Sequence, residues 1–218
     1  MVRQLFAFLF LLVFVPLTFA NEYKVESIGA LKDAAVSEAM RGVLEDKGLR
    51  VSDDKGKVIC DIWFRKEIPA EKKDVPGASF GQIPEGVFAG VINFPSNTND
   101  FRGQGVKAGW YTLRYALILQ DGNHLGVSPA RDFFLICSAA DDKDPNIAMK
   151  MEDLLKLSRA AIGAGHPSPW YFGYATSDEK ELPKVVTNEH EHVILETKLN
   201  TKTGPLAIGL IVVGRTEG

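Results

Sequence analysis

The sequence predicts a mainly β protein, an antiparallel β-sandwich or jelly-roll-like domain with two accessory helices. Roughly seven to nine short apolar runs are separated by turn residues, as is typical of all-β domains. Large apolar side chains occupy every second position from Tyr111 to Leu119, which places them on one face of a strand. Strands and helices do not alternate along the chain, and this argues against a parallel α/β fold.

The predicted strands follow one another through short polar connections. Tyr23 to Ile28 is the first, and residues 49–51 and 57–66 form a hairpin around a Gly-containing turn. Residues 69–86, rich in Gly, Pro and Lys, are predicted to be a long, mobile connection. Further strands are predicted at 87–94, 106–119, 132–138, 170–175, 192–199 and 206–213, the last two as a terminal hairpin.

Two segments carry helix signals. Asp33 is a candidate N-cap for a helix over residues 34–46. Asp144 precedes a proline and is a candidate cap for a helix over residues 146–162, which Gly163 would end. We expect both helices to be accessory elements of the β domain.

The first twenty residues predict a signal peptide. Arg3 supplies a positive start, Leu5 to Val15 is almost entirely apolar, and Thr18-Phe19-Ala20 offers small residues at the positions that a signal peptidase reads. The apolar run is too short for a permanent membrane span, and no later segment provides one. We therefore expect one exported domain over residues 21–218, in the periplasm or the medium, with no membrane span after cleavage.

Composition excludes some partners. The formal net charge is −3, and Lys and Arg are not clustered. Because nucleic-acid binding needs a concentrated basic face, we expect no nucleic-acid partner.

The two cysteines, Cys60 and Cys137, lie in apolar, strand-like runs. Export places them where a disulfide persists, so one alternative is a bridge between them. The other is two separate buried thiols that behave as small apolar side chains.

A resemblance supports export. Gly-Trp-Tyr-Thr-Leu-Arg-Tyr at residues 109–115, followed by Asp-Gly-Asn-His-Leu-Gly-Val-Ser-Pro-Ala-Arg-Asp-Phe at residues 121–133, resembles a segment of exported bacterial proteins for which no activity is known. The resemblance covers at most residues 105–140. It implies an exported β-sandwich and indicates no substrate.

Polar residues concentrate between the two most apolar strands. The connection from residue 120 to 132 holds Asp121, His124, Arg131 and Asp132, and loops on rigid strands commonly display binding groups. His166, after the second helix, is a further candidate for the same ligand site. The alternative is that turn formation and local ion pairs explain these residue types.

One motif predicts a metal. His190, His192 and Glu196 would share one face of a strand, where two imidazoles and a carboxylate can bind a divalent transition metal. The His-x-His-x-x-x-Glu spacing resembles the first metal motif of the cupins, although Lys184 stands where that motif has glycine.

From these patterns we expect an exported, non-catalytic binding module for a small molecule, a glycan or a protein, with no cofactor. A cupin-like, metal-dependent enzyme is the second hypothesis, and a structural accessory protein of the cell envelope is the third. Glycan binding would use an aromatic platform, with at least two rings among Trp63, Trp110 and residues 170–172 exposed to solvent.

Overall fold

The computed structural model describes residues 22–118 and 131–216. The protein is mainly β, with 43% of residues in strands and 11% in helices, which confirms the predicted fold class. One ten-stranded antiparallel sheet has the order β1-β2-β3-β4-β7-β8-β9-β12-β11-β10, and β5 pairs with β6 separately.

The strands are β1 (Tyr23–Ile28), β2 (Gly48–Asp53), β3 (Val58–Phe64), β4 (Phe88–Phe94), β5 (Thr98–Asn99), β6 (Gly105–Val106), β7 (Gly109–Leu117), β8 (Asp132–Ser138), β9 (Pro169–Tyr174), β10 (Lys184–Thr187), β11 (Val193–Thr201) and β12 (Gly204–Val213). The helices are α1 (Glu38–Gly42) and α2 (Met151–Ile162).

Strand β9 makes the sheet turn back on itself. Its first half, Pro169–Tyr171, pairs with β8, and its second half, Phe172–Tyr174, pairs with β12. The edge strands β1 and β10 lie in contact, and Ile68 forms a parallel bridge with Thr201. The sheet is therefore nearly closed into a barrel, and its halves face each other as in a sandwich.

Side chains alternate between the two faces of β7 and β8, so neighbouring residues pack in different hydrophobic clusters: the main core on one face, and a cluster beneath α2 on the other. Tyr111, Leu113 and Tyr115 point into the main core, as the period of two predicts. In β8, Phe134 faces the same core, whereas Leu135 packs on the outer face beneath α2. Both faces of β8 are buried, which is why its sequence is apolar throughout.

Both helices are shorter than predicted. Helix α1 begins after Ser37, whose hydroxyl accepts from the Met40 amide at 3.3 Å, while Asp33 caps only a preceding turn. Helix α2 begins at Met151, although it ends at Gly163 in the left-handed conformation as predicted. Residues 144–150 are not helical because the Arg114 side chain binds two carbonyl groups in this segment.

Residues 69–86 form an irregular connection, as predicted, but the middle of this connection is packed. Phe80 and Ile83 are buried in the main core. The Phe80 ring stacks on Phe172, with ring centroids 5.1 Å apart. This connection covers one end of the nearly closed sheet.

The structure contains no disulfide between Cys60 and Cys137, which are both free and buried. Cys60 lies in the main core, and Cys137 lies on the outer face beneath α2. Burial raises the pKa of both thiols, that of Cys137 to about 12. Two separate buried thiols, the second alternative, describe these residues.

Helices able to cross a membrane are absent from the described ranges, because none is both long and apolar enough.

Candidate ligand groove beneath helix α2

A cavity of about 220 Å³ lies between α2 and the outer face of β7, β8 and β9. We call it the α2 groove. Its walls are largely apolar, and its polar groups are two guanidiniums, one imidazole and one phenol. The lining residues are Arg102, Leu117, Ile118, Phe133, Leu135, Met151, Leu155, Arg159, His166, Pro167, Pro169 and Tyr171.

The helical period explains how α2 forms one wall. Met151, Leu155 and Arg159 are spaced by four residues and therefore share one face, which lines the groove. The adjacent row, Leu154 and Ser158, is fully buried against the sheet. The same helix thus packs on the sheet with one row and leaves the neighbouring row open to the groove.

The end of the groove is fixed by a hydrogen bond between the helix and the segment that follows it. The Ser158 hydroxyl oxygen accepts from the Ser168 amide at 3.0 Å. This contact positions His166 and Pro167, which both line the groove.

The rim of the groove is positively charged. Arg102 and Arg159 are exposed, and in the described ranges neither guanidinium forms an ion pair with a carboxylate. Tyr171 is buried, and burial raises the pKa of its hydroxyl to about 12, with the Arg102 charge acting in the opposite direction. Tyr171 is therefore a neutral hydrogen-bond donor near pH 7.

Of the predicted ligand-site residues that the structure describes, which are Arg131, Asp132 and His166, only His166 lines the groove. Asp132 is fully buried and accepts hydrogen bonds from the Ser79 amide at 2.7 Å, the Phe80 amide at 3.0 Å and the Tyr115 hydroxyl at 2.7 Å. Burial first, and then the bond to Asp132, raise the pKa of Tyr115 far above its ordinary value. The Asp132 carboxylate therefore accepts its hydrogen bonds from groups of the protein itself.

The Arg131 side chain also forms hydrogen bonds within the protein, to backbone carbonyl groups. Its guanidinium donates to the Ile118 carbonyl at 3.2 and 3.0 Å and to the Pro76 carbonyl. Asp121 and His124, the other two predicted ligand residues, lie outside the described residues.

The predicted metal residues are only partly brought together: the His190 and His192 ring centroids lie 5.7 Å apart, whereas Glu196 is hydrogen-bonded to Thr176 and Ser177. His190 and His192 precede β11 in a turn where Glu191 has φ 58°, so they do not occupy alternate positions of a strand. Glu196 lies four strand residues further on, about 13 Å along the backbone. In residues 22–118 and 131–216 no group of three His, Cys, Asp or Glu side chains could hold a metal ion.

Hydrogen bonds explain what two of these residues do instead. His192 Nε2 lies 3.1 Å from the Arg215 carbonyl oxygen, and its Nδ1 lies 3.4 Å from the Asn188 side-chain nitrogen. Glu196 accepts from the Thr176 amide at 2.6 Å and the Ser177 amide at 3.2 Å. Burial raises the pKa of Glu196, but hydrogen bonds from Ser177 and Thr176 outweigh it, so this pKa lies below its ordinary value.

The predicted aromatic platform does not form. Trp63, Trp170 and the two aromatic residues after Trp170 are buried, and Trp110 is half-buried against Trp63, with ring centroids 5.8 Å apart. The condition of two solvent-exposed rings is therefore not met.

The sequence patterns did not predict a buried ion pair between Arg114 and Asp142. Arg114 and Asp142 have fully buried side chains joined by contacts of 2.6 and 2.7 Å, and Thr112 donates to the same carboxylate at 2.6 Å. Arg114 also donates to the carbonyls of Gly86, Asp144 and Ile147. The one available signal was an arginine inside an apolar strand, and the role of this network is structural.

Comparison with known proteins adds no relatives: no family model, no curated protein and no solved structure matches the chain.

Proposed function

We propose that the protein is an exported, non-catalytic binding module that takes a small, largely apolar ligand in the α2 groove. The observation that carries this proposal is the cavity itself, which is lined by apolar and aromatic side chains and has polar groups only at a few positions. Small-molecule sites in proteins have this composition.

The size of the cavity limits the ligand. An apolar protein cavity of about 150 Å³ accommodates benzene, which has six heavy atoms. In proportion, the groove volume of about 220 Å³ suits roughly nine heavy atoms. A short alkyl chain or a single substituted ring fits this limit.

Two other cavities among the described residues are less suited to such a ligand. A cleft of about 510 Å³ at His190, His192 and Arg215 is polar and open to solvent. A smaller cavity of about 170 Å³ lies between residues 71–85 and Leu117, and charged residues, among them Glu71, Lys73 and Glu85, line it. Neither offers apolar walls comparable to those of the α2 groove.

Export is part of the proposal and rests on residues 1–20, which lie outside the described residues. Expression of the full chain in a bacterium, followed by N-terminal sequencing of the extracytoplasmic protein, tests it. We expect the sequence to begin at Asn21. An uncleaved chain retained in the cytoplasm would contradict export.

Binding is tested with two probes of equal length, octanoate and 1-octanol, by saturation-transfer NMR and titration calorimetry. Substitution Leu155→Trp fills the groove, whereas Lys156→Trp adds the same side chain at the neighbouring exposed position of α2. We expect the wild type and Lys156→Trp to bind a probe, and Leu155→Trp to bind it at least about tenfold more weakly. Equal binding by all three proteins, or none by the wild type, would contradict the proposal.

A further inference from the structure

We infer that the ligand of the α2 groove is a small amphiphilic carboxylate, with its anionic group between Arg102 and Arg159 and its apolar part against Leu135 and Leu155. This inference rests on the proposed function and specifies the class of ligand. It is carried by the charges at the rim and by the way in which the chain fixes them.

The two arginines reach the rim from separate elements. Arg102 lies in the turn between β5 and β6, and Arg159 lies in the last turn of α2. A guanidinium presents several N–H donors in one plane, which matches the two oxygens of a carboxylate. Two of them at the mouth of an apolar groove select a ligand that has an anionic head and an apolar tail.

The turn that carries Arg102 is connected to the groove by hydrogen bonds. Asp100 is fully buried and accepts from the amides of Arg102 at 3.0 Å and Gln104 at 2.9 Å. The Gln104 side chain donates to Asp100 at 2.7 Å and to the Pro167 carbonyl at 3.1 Å. The Asp100 carboxylate therefore organises the turn, and Gln104 joins the turn to the groove wall that also carries His166.

Arg159 offsets the partial negative charge at the carboxyl end of α2. The carboxyl end of a helix carries partial negative charge, which would repel an anion beside the last turn of α2. The positive charge of Arg159 at this position offsets that repulsion. Tyr171 also lines the groove, and its hydroxyl, which is neutral near pH 7 as in any tyrosine, is a further hydrogen-bond donor.

The test compares octanoate with 1-octanol, which has the same chain length and no charge, by titration calorimetry on the full-length mature protein. We expect octanoate to bind at least about tenfold more tightly than 1-octanol, which corresponds to about 1.4 kcal/mol. Arg102→Gln and Arg159→Gln should each weaken octanoate binding about threefold or more and leave 1-octanol binding unchanged, because only the charged contact is removed. Higher salt should weaken octanoate binding alone.

Arg215→Gln is the matched control, since Arg215 is an exposed arginine outside the groove. It should preserve the ratio of the two affinities. Equal binding of octanoate and 1-octanol would overturn the inference while leaving an apolar site in place. A preference for octanoate that survives the double variant Arg102→Gln/Arg159→Gln would also overturn it, whereas failure of both probes to bind would overturn the proposed function itself.

Discussion

Arg114 shows how much of the structure depends on single buried polar residues. Its guanidinium connects β7 to Asp142 and to the carbonyls of residues 86, 144 and 147. Every donor that faces this network has an acceptor within 2.8 Å, so the charge is fully compensated inside the protein.

Removal of the carboxylate partner should therefore be costly. We expect Asp142→Ala to lower the free energy of unfolding by about 3–5 kcal/mol, because it leaves the Arg114 charge buried without a counter-ion. Asp46→Ala removes the carboxylate of an exposed ion pair with Lys66 and should cost less than about 1 kcal/mol. Urea unfolding measures both, and equal losses would contradict the assigned role of Arg114 and Asp142.

Two serines near the groove provide a matched comparison. Ser158 accepts from the Ser168 amide, whereas the Ser168 hydroxyl is buried without a partner among the described residues. Ser158→Ala should cost about 1–3 kcal/mol because it leaves a buried amide unpaired, and Ser168→Ala should be nearly neutral or stabilising. Thermal unfolding measures the stability of both variants. A larger loss of stability in Ser168→Ala than in Ser158→Ala would refute the hydrogen-bond assignment.

Glu196 should make stability depend on pH. Its folded pKa lies below the ordinary value of 4.5, so its stabilising contribution is fully present above pH 4.5 and is lost as the pH falls through the lowered pKa. We expect wild type to be more stable than Glu196→Gln at pH 7, and this difference to shrink below about pH 4. Urea unfolding from pH 3 to 7 measures it; a difference that grows on acidification would exclude this role.

At the scale of elements, the connection of residues 69–86 depends on one carboxylate from a distant strand. Asp132 accepts from the amides of Ser79 and Phe80, and Tyr174 donates to the Ser79 carbonyl at 2.8 Å. An irregular segment without regular backbone pairing is thereby fixed over the end of the sheet.

Asp132→Asn should loosen this connection. An amide nitrogen in place of one carboxylate oxygen cannot accept from an N–H group, so one of the two amides, Ser79 or Phe80, loses its acceptor. That amide should exchange faster with solvent, and stability should fall by about 1–3 kcal/mol. Asp74→Asn, an exposed change in the same connection, serves as the control. Hydrogen exchange followed by NMR reports both, and unchanged protection in Asp132→Asn would show that other contacts fix the segment.

The elements were predictable where local patterns determine them. Strands β1 and β8 have the predicted bounds, and the terminal hairpin β11–β12 was recognised from two apolar runs around a Gly-Pro turn. The starts of both helices differ from those predicted. Helix α1 begins after Ser37 and not after Asp33, and α2 begins later because a distant side chain, Arg114, binds carbonyls of the segment that precedes it. Strand β10 was missed because its four residues carry no distinct apolar pattern.

The candidate site was even less accessible from sequence. Only His166 was identified. The four-residue spacing of Met151, Leu155 and Arg159 places them on one helix face, but this spacing alone does not indicate a groove. Arg102 could not be identified from the sequence, because its position depends on contacts such as the hydrogen bond from Gln104 to Pro167, which are 63 residues apart. Conversely, Asp132 has the residue type of a ligand but is fully occupied by hydrogen bonds within the chain.

For the whole molecule, the nearly closed sheet determines where a ligand can bind. Its interior is filled by side chains such as Tyr115, Phe134 and Phe172, so the apolar cavity lies outside the sheet, beneath α2. The sequence predicted an antiparallel β domain correctly. The strand order, and the use of β9 by both halves of the sheet, depend on pairings between distant residues that no local pattern encodes.

The most direct measurement is the set of intermolecular nuclear Overhauser effects between bound octanoate and the methyl groups of the protein. The account predicts contacts from the octanoate chain to Met151, Leu155 and Leu135, with the carboxylate end near Arg102 and Arg159. Contacts confined to another surface, or no bound octanoate at millimolar concentration, would contradict the assignment of the α2 groove as the binding site.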